Sequence, residues 1–155
     1  MKKIQLSQGL FALVDNEDFE YLNQWKWSAQ KSGLTYYAVR IVKKEKISMH
    51  RLLLGLADPK VLADHEDNNG LNNQRYNIRA ANYTQNNSNV TPVTGSTSKY
   101  LGVSWHSSSK KWKADIRKGK VKKYLGIFKD EADAARAYNA AAKELHGVFA
   151  NLNYV

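Results

Sequence analysis

Ala63-Asp64-His65-Glu66-Asp67-Asn68-Asn69-Gly70-Leu71-Asn72-Asn73-Gln74-Arg75-Tyr76-Asn77-Ile78-Arg79 is the stretch on which the reading of this chain turns. Asp64 offers a hard anionic oxygen beside His65, a side chain that takes a proton near neutral pH. Asn69-Gly70 is a tight-turn signal. Asn77-Ile78-Arg79 then reads as a short return strand, and Tyr83 to Asn89 as one or two turns of helix. Two strand-like arms and a short helix bring Asp64, His65, Asn77 and Asn86 toward one point. Asn-rich segments are also ordinary turn material, so an Asp-His pair in such a setting needs further matches.

Those matches exist. An Asp-His pair, a loop with Gly70-Leu71-Asn72-Asn73, then Asn77-Ile78-Arg79, and Asn86 nine residues after Asn77 resemble the HNH endonuclease motif. The subgroup is the phage and intron-encoded type, in which Asn replaces the final His. The resemblance implies a ββα-metal fold in which His65 is the general base that activates water. It implies that Asp64 and Asn86 hold one divalent metal, Mg²⁺ first and Mn²⁺ as the alternative, and that Asn77 orients His65 or braces the loop. The chain departs from the pattern twice. Asn72-Asn73-Gln74 stands where relatives usually have Asp-Asn-Arg, which removes a loop salt bridge. Glu66 stands where an apolar residue is usual, and a carboxylate beside His65 favours its protonated form.

With 155 residues the chain is long enough for one ordinary domain or two small ones. Its apolar content of 43 % supports real cores and sets it apart from disordered chains. No apolar run approaches the roughly 20 residues needed to span a bilayer. The alternation after Met1-Lys2-Lys3-Ile4 is no signal-peptide core, and the expected location is the cytoplasm, that of the host cell for a phage-encoded protein. The chain has no cysteine, which excludes disulfides and the Cys-pair zinc knuckles that brace some HNH enzymes. Packing must then hold the ββα unit.

The sequence ahead of the motif supplies that packing. Ile4–Leu6 and Leu10–Val14 read as strands around Ser7-Gln8-Gly9, and Asn16-Glu17-Asp18-Phe19-Glu20 as an acid-rich helix start. Trp25–Ser28 and Tyr36–Val42 alternate as strands do. A charged turn at 43–46, an edge strand at Ile47–Met49 and a short helix at His50–Leu56 follow. Val14-Asp15-Asn16-Glu17-Asp18, the Trp-rich strand and His50-Arg51-Leu52 resemble the N-terminal part found ahead of phage HNH motifs. The whole reads as an antiparallel β platform, with His50 either near the reacting centre or a packed or capping histidine. Arg51 and Arg79 face phosphates or make structural ion pairs.

Asn89–Ser98 carries no charge, contains Pro92 and Gly95 and reads as a linker. Charge shifts across it: residues 1–97 hold 12 Lys and Arg against 9 Asp and Glu, and residues 98–155 hold 12 against 5. Such asymmetry points to a polyanion-binding part joined to a different activity. Leu101, Val103 and Trp105 share one strand face. Trp112, Ala114 and Ile116 oppose Lys111, Lys113, Asp115 and Arg117. After Lys118-Gly119-Lys120, Lys122 and Tyr124 continue the polar face, with Lys123, Leu125 and Ile127 alternating with it. Asp130 opens a helix ending at Gly147, with Ala134, Ala137, Tyr138, Ala141 and Leu145 as its buried stripe.

Ser98-Lys99-Tyr100-Leu101-Gly102-Val103, Trp112 to Arg117, Tyr124-Leu125-Gly126, Ala134 to Tyr138 and Leu152-Asn153-Tyr154 together resemble the DNA-binding domain of plant ethylene-response factors (apetala-two type). That resemblance implies a three-stranded sheet lying in the major groove. It puts Lys111, Lys113, Arg117, Lys122 and Tyr124 at contact positions, with Ser104 and His106 as further ones. Leu101 and Ser104 stand where plant members commonly carry Arg, the side chain that reads guanine bidentately, so the plant target does not transfer.

The sequence therefore predicts an α+β protein in three parts. Residues 1–90 form a nuclease domain (platform 1–60, ββα-metal motif 61–89), 91–98 a linker, and 99–155 a three-stranded sheet on one helix. The expected function is metal-dependent cleavage of double-stranded DNA by a monomeric nuclease of homing type. The alternative is a sequence-specific DNA-binding regulator with an inactive HNH half.

Overall fold

The computed structural model describes residues 1–86 and 95–155; residues 91–94 of the predicted linker and 87–89 of the predicted helix lie outside the described residues. The fold is α+β, with four small antiparallel sheets among the described residues. It forms two compact units, Met1–Tyr83 and Thr84–Val155.

The first unit opens with a hairpin of β1 (Lys2–Gln5) and β2 (Phe11–Val14), and α1 (Asn16–Asn23) follows. Its main sheet runs in the order β3 (Ser28–Ser32), β4 (Thr35–Val42), β5 (Glu45–Ser48). Then come α2 (Met49–Leu53) and a second hairpin of β6 (Leu62–His65) and β7 (Ile78–Ala81). The β4–β5 turn holds Lys43 at φ 49° and Lys44 at φ 70°, the doubly left-handed form that a two-residue hairpin turn demands. The core is Ile4, Leu6, Ala12, Val14, Leu22, Trp27, Ala29, Ala38 and Met49, so hairpin, sheet and both helices share one apolar cluster.

The alternation of Trp25-Lys26-Trp27 is not a strand. Trp27 is buried and its indole Nε1 donates to the Leu22 carbonyl at 2.8 Å, which also accepts from the Trp25 amide at 3.3 Å at the end of α1. Trp25 instead stacks under the Arg40 guanidinium, 3.9 Å from the ring centre. The strand begins only at Ser28.

α3 (Tyr83–Asn86) spans the division between the units. Beyond it, β8 (Val103–His106), β9 (Lys111–Lys118) and β10 (Val121–Phe128) form one sheet in the order β10-β9-β8. α4 (Glu131–His146) starts where the Asp130 carboxylate accepts from the Ala132 and Asp133 amides, a side-chain cap worth about 1 kcal/mol. The helix buries Ala134, Ala135, Tyr138, Ala141 and Ala142 against Leu101, Val103, Ala114 and Ile116. Ala135 and Ala142 thus join the stripe expected from the sequence, while Ala137 and Leu145 sit at its half-buried margin.

Gly102 lies at φ 69°, and a Cβ there would collide with the Tyr138 ring and the Asp115 carbonyl; only glycine lets helix and strand meet so closely. The chain end is strapped down by Asn153. Its Oδ1 accepts from the Leu101 amide at 2.7 Å and its own amide donates to Asn139 Oδ1 at 2.7 Å.

One register differs from the alternation in the sequence. A bulge between Tyr124 and Gly126 pairs Gly126 with Ala114, Ile127 with Lys113 and Phe128 with Trp112. The extra residue flips the following face. Ile127 therefore lies on the Lys113 face rather than the apolar one, and Phe128 packs into the core instead. Trp105 pairs with Trp112, one ring edge-on to the other at 5.1 Å, and stays 43 % exposed.

Candidate functional site

The β6–β7 hairpin pairs Asp64 with Arg79 and His65 with Ile78, which fixes the two candidate residues at the end of a strand. The loop between them is built on hydrogen bonds. Asn77 is fully buried; its Nδ2 donates to Asp67 Oδ1 at 2.9 Å and to the Asn72 carbonyl at 2.8 Å. Its Oδ1 accepts from the Asp67 amide at 3.0 Å. Asn72 Nδ2 donates to the other Asp67 oxygen at 2.8 Å. Asp67 is thus the hub of the loop.

The N-terminal hairpin and α1 clamp this loop from outside. The Leu13 amide donates to the Leu71 carbonyl and the Leu13 carbonyl accepts from the Asn73 amide, both at 2.8 Å, so residues 71–73 ride along β2. Asp15 accepts from the Arg75 amide at 2.7 Å and from Gln74 Nε2 at 3.0 Å. The backbone bond from Arg75, then the side-chain bond from Gln74, holds the Asp15 carboxyl below its usual range. Buried Asp18 receives Arg75 Nε and Nη2 together. Gly70 does not sit at positive φ; a Cβ there would strike the Tyr36 carbonyl and the Tyr37 ring. Close approach to β4, not turn geometry, is what requires glycine.

Asp64 and His65 are both buried, 6 % and 4 % exposed. Arg79 Nε donates to Asp64 Oδ2 at 2.8 Å, and Arg79 Nη1 lies 3.3 Å from Glu66 Oε2. Arg79 is therefore an ion-pair residue on the hairpin. Arg51 is structural too, donating to the carbonyls of Val61, Leu56 and Asp58. Around His65 stand two more rings: His50 at 4.9 Å, edge-on at 67°, and Tyr37 at 5.7 Å. Burial pushes the His65 imidazole below its ordinary value, against opposing pulls from the Asn73 side chain and the Asp67 and Asp64 carboxylates. Glu66, expected to favour protonated His65, turns outward to Arg79, and desolvation outweighs the carboxylates that remain.

In the second unit, the register gathers another set on one sheet face. Ser104 pairs with Lys113, His106 with Lys111, Lys122 with Arg117 and Tyr124 with Asp115. Directly paired residues share a face, so Ser104, His106, Lys111, Lys113, Arg117, Lys122 and Tyr124 lie together, opposite the face covered by α4. Asp115 sits among them, 3.3 Å from Lys113 Nζ and 2.8 Å from Lys122 Nζ. His106 Nδ1 shares a hydrogen bond with Ser109 Oγ at 2.9 Å.

No protein-family model matches the chain, and no solved structure does. An uncharacterized HNH endonuclease of Acanthamoeba polyphaga mimivirus is 32 % identical over 153 residues, 96 % of this chain and 77 % of that protein. The chain belongs to the HNH endonuclease family. A second similarity is local: an ethylene-responsive transcription factor of Arabidopsis thaliana is 45 % identical over 47 residues, 29 % of this chain and 18 % of that protein.

Within this HNH chain the structure brings Asp64, His65 and Asn77 together on one hairpin and its loop. Of the two roles open to Asn77, its side-chain bonds go to the loop. Asn86 is the last residue of α3, half-buried and beyond the division between units. Among the described residues no group of three or more His, Cys, Asp or Glu is placed to hold a metal ion, and no helix is long and apolar enough to cross a membrane. Sequence reasoning missed Asp67 as the loop hub, Asp15 and Asp18 as the clamp, and Tyr37 beside the histidines. For Asp15 and Asp18 a signal was present in Val14-Asp15-Asn16-Glu17-Asp18; for Tyr37 nothing local distinguishes it from Tyr36.

Proposed function

We propose that this HNH protein is a metal-dependent DNA endonuclease of homing type. Residues 1–90 cut, 91–98 connect, and 99–155 grip double-stranded DNA as a monomer. The observation that carries the reading is His65: a neutral imidazole buried at a strand end beside Asp64, in a chain related along nearly its whole length to an HNH endonuclease. A neutral imidazole is the form able to accept a proton from attacking water.

The donor chemistry of Asp64 and Asn86 fits a hard cation, because Mg²⁺ is usually bound by one or two carboxylates with substrate oxygens and waters completing its shell. Asp64 and Asn86 would hold it, with Mn²⁺ as the alternative ion, and when bound it supplies charge neutralisation at the phosphoryl and leaving 3′ oxygens. His65 takes the proton of the water at a ring nitrogen. Asn77 and Asp67 keep the loop closed behind it. Lys111, Lys113, Arg117 and Lys122 neutralise phosphates, and Ser104, His106 and Tyr124 on the same face add polar contacts to the DNA.

One observation favours a second reading, a DNA-binding regulator with a silent HNH half: Arg79 already occupies Asp64 Oδ2. Supercoiled plasmid incubated with Mg²⁺, Mn²⁺ or EDTA separates the two. Nicked or linear product that disappears in EDTA supports the nuclease; binding without cleavage in either ion supports the regulator.

A further inference from the structure

We propose that His50, on α2, is a positioning residue for cleavage: its ring fixes the plane of the His65 imidazole, and its buried Nδ1 is kept for a hydrogen bond within the reacting centre. The proposal rests on the nuclease reading and adds to it a second histidine that never carries the proton.

Three observations support it. The first is contact. The His50 and His65 rings meet edge to face at 4.9 Å and 67°, and Tyr37 lies 5.6 Å from one and 5.7 Å from the other. Edge-to-face rings resist rotation because the positive edge of one faces the negative face of its neighbour.

The second is the seat on which His50 stands. Met49 before it is fully buried in the main core. Arg51 after it donates to the Val61 carbonyl at 2.6 Å, immediately ahead of β6, the strand that ends in His65. The Leu54 amide donates back to the His50 carbonyl at 3.0 Å. The distance from α2 to the base is thus set on both sides of His50.

The third is the nitrogen. His50 is 8 % exposed, and among the described residues its Nδ1 has no hydrogen-bond partner. A buried polar atom in that condition is a standing cost that a Phe or Leu would avoid, so packing alone does not account for an imidazole there. Burial, followed by the repulsion that a proton on His65 would exert and by the charges of Arg51 and Lys46, pushes the His50 pKa down to about 3. The ring is neutral at any pH at which DNA cleavage would be assayed. It acts by contact and hydrogen bonding, not by charge.

The test uses the full chain, supercoiled plasmid and Mg²⁺, with wild type, His50→Phe and His50→Gln. His50→Phe keeps a ring without nitrogens; His50→Gln keeps a polar nitrogen without the ring. Both are expected to bind DNA with an unchanged KM and to lose kcat by about tenfold or more, while His50→Phe melts at or above the wild-type temperature. A folded variant of either kind that cuts at the wild-type kcat overturns the proposal. Ring ¹H–¹³C spectra of His65 supply a readout independent of cutting, with one sharp set expected in wild type and broadened or doubled signals in His50→Phe. If wild type does not cut at all, the nuclease reading fails on its own. Unchanged His65 signals in His50→Phe then overturn the positioning role separately.

Discussion

Arg75 grips Asp18 with two donors, Nε to Oδ2 at 2.8 Å and Nη2 to Oδ1 at 2.6 Å, across 57 residues of chain. Asp18 is buried and Arg75 half exposed, so this is a charge-assisted fork on a partly desolvated acceptor. It ties the Asp-His loop to α1. Asp18→Ala is expected to cost about 2 kcal/mol, the scale of hydrogen bonds to charged groups, and to reduce nicking because the loop behind His65 loosens. Urea denaturation checks the first effect and plasmid nicking the second. An unchanged urea midpoint would show the fork to be ornamental.

His50 makes stability depend on pH in a predictable direction. Its pKa falls from 6.5 in the unfolded chain to about 3 in the fold, so the unfolded state binds the extra proton between those values. The contribution is fully present above pH 6.5 and declines as pH falls toward 3, by at most about 1.4 kcal/mol per pH unit for one group. His65, also lowered, adds to the same slope. Denaturation of wild type and His50→Phe at pH 7.5, 6 and 5 is expected to give a flatter profile for the variant; parallel profiles would refute the assignment.

Asp115 restrains the cationic face through Lys113 and Lys122. Asp115→Asn is expected to tighten DNA binding and to steepen the log–log salt dependence by about one unit, since each neutralised phosphate contributes roughly −0.9. Lys122→Ala is expected to make it shallower by a similar amount. Fluorescence anisotropy from 50 to 200 mM NaCl reads both slopes, and identical slopes in all three proteins would remove this face from the DNA contact.

Lys43 and Lys44 occupy left-handed positions that disfavour side chains. Lys44→Gly is expected to stabilise the first unit by about 1 kcal/mol, raising its melting temperature by about 4–8 °C for a unit of this size. A fall in melting temperature on calorimetry would show that the lysine makes a compensating contact.

Local chemistry was legible in the sequence and long-range convergence was not. Asp130, Gly147 and the unbroken alternation from Lys111 to Arg117 each act through near neighbours, and α4 and β9 stand where those residues put them. The alternation at Trp25–Trp27 misled because an indole that caps a helix end has the same spacing as a strand. The face of Ile127 reversed because a one-residue bulge leaves no mark in hydropathy. At the site, Asp64 and His65 were readable as chemistry, whereas Tyr37 and His50 reach them only through the β4–α2–β6 arrangement. Whether Glu66 or burial governs His65 likewise depends on where Arg79 draws the carboxylate.

The most direct measurement is Mg²⁺-dependent nicking of supercoiled plasmid by wild type and His65→Ala, with DNA binding of both measured in parallel. The account predicts product from wild type alone, a loss of at least about a hundredfold in the variant and equal affinity for DNA. Cleavage by His65→Ala at the wild-type rate would contradict it.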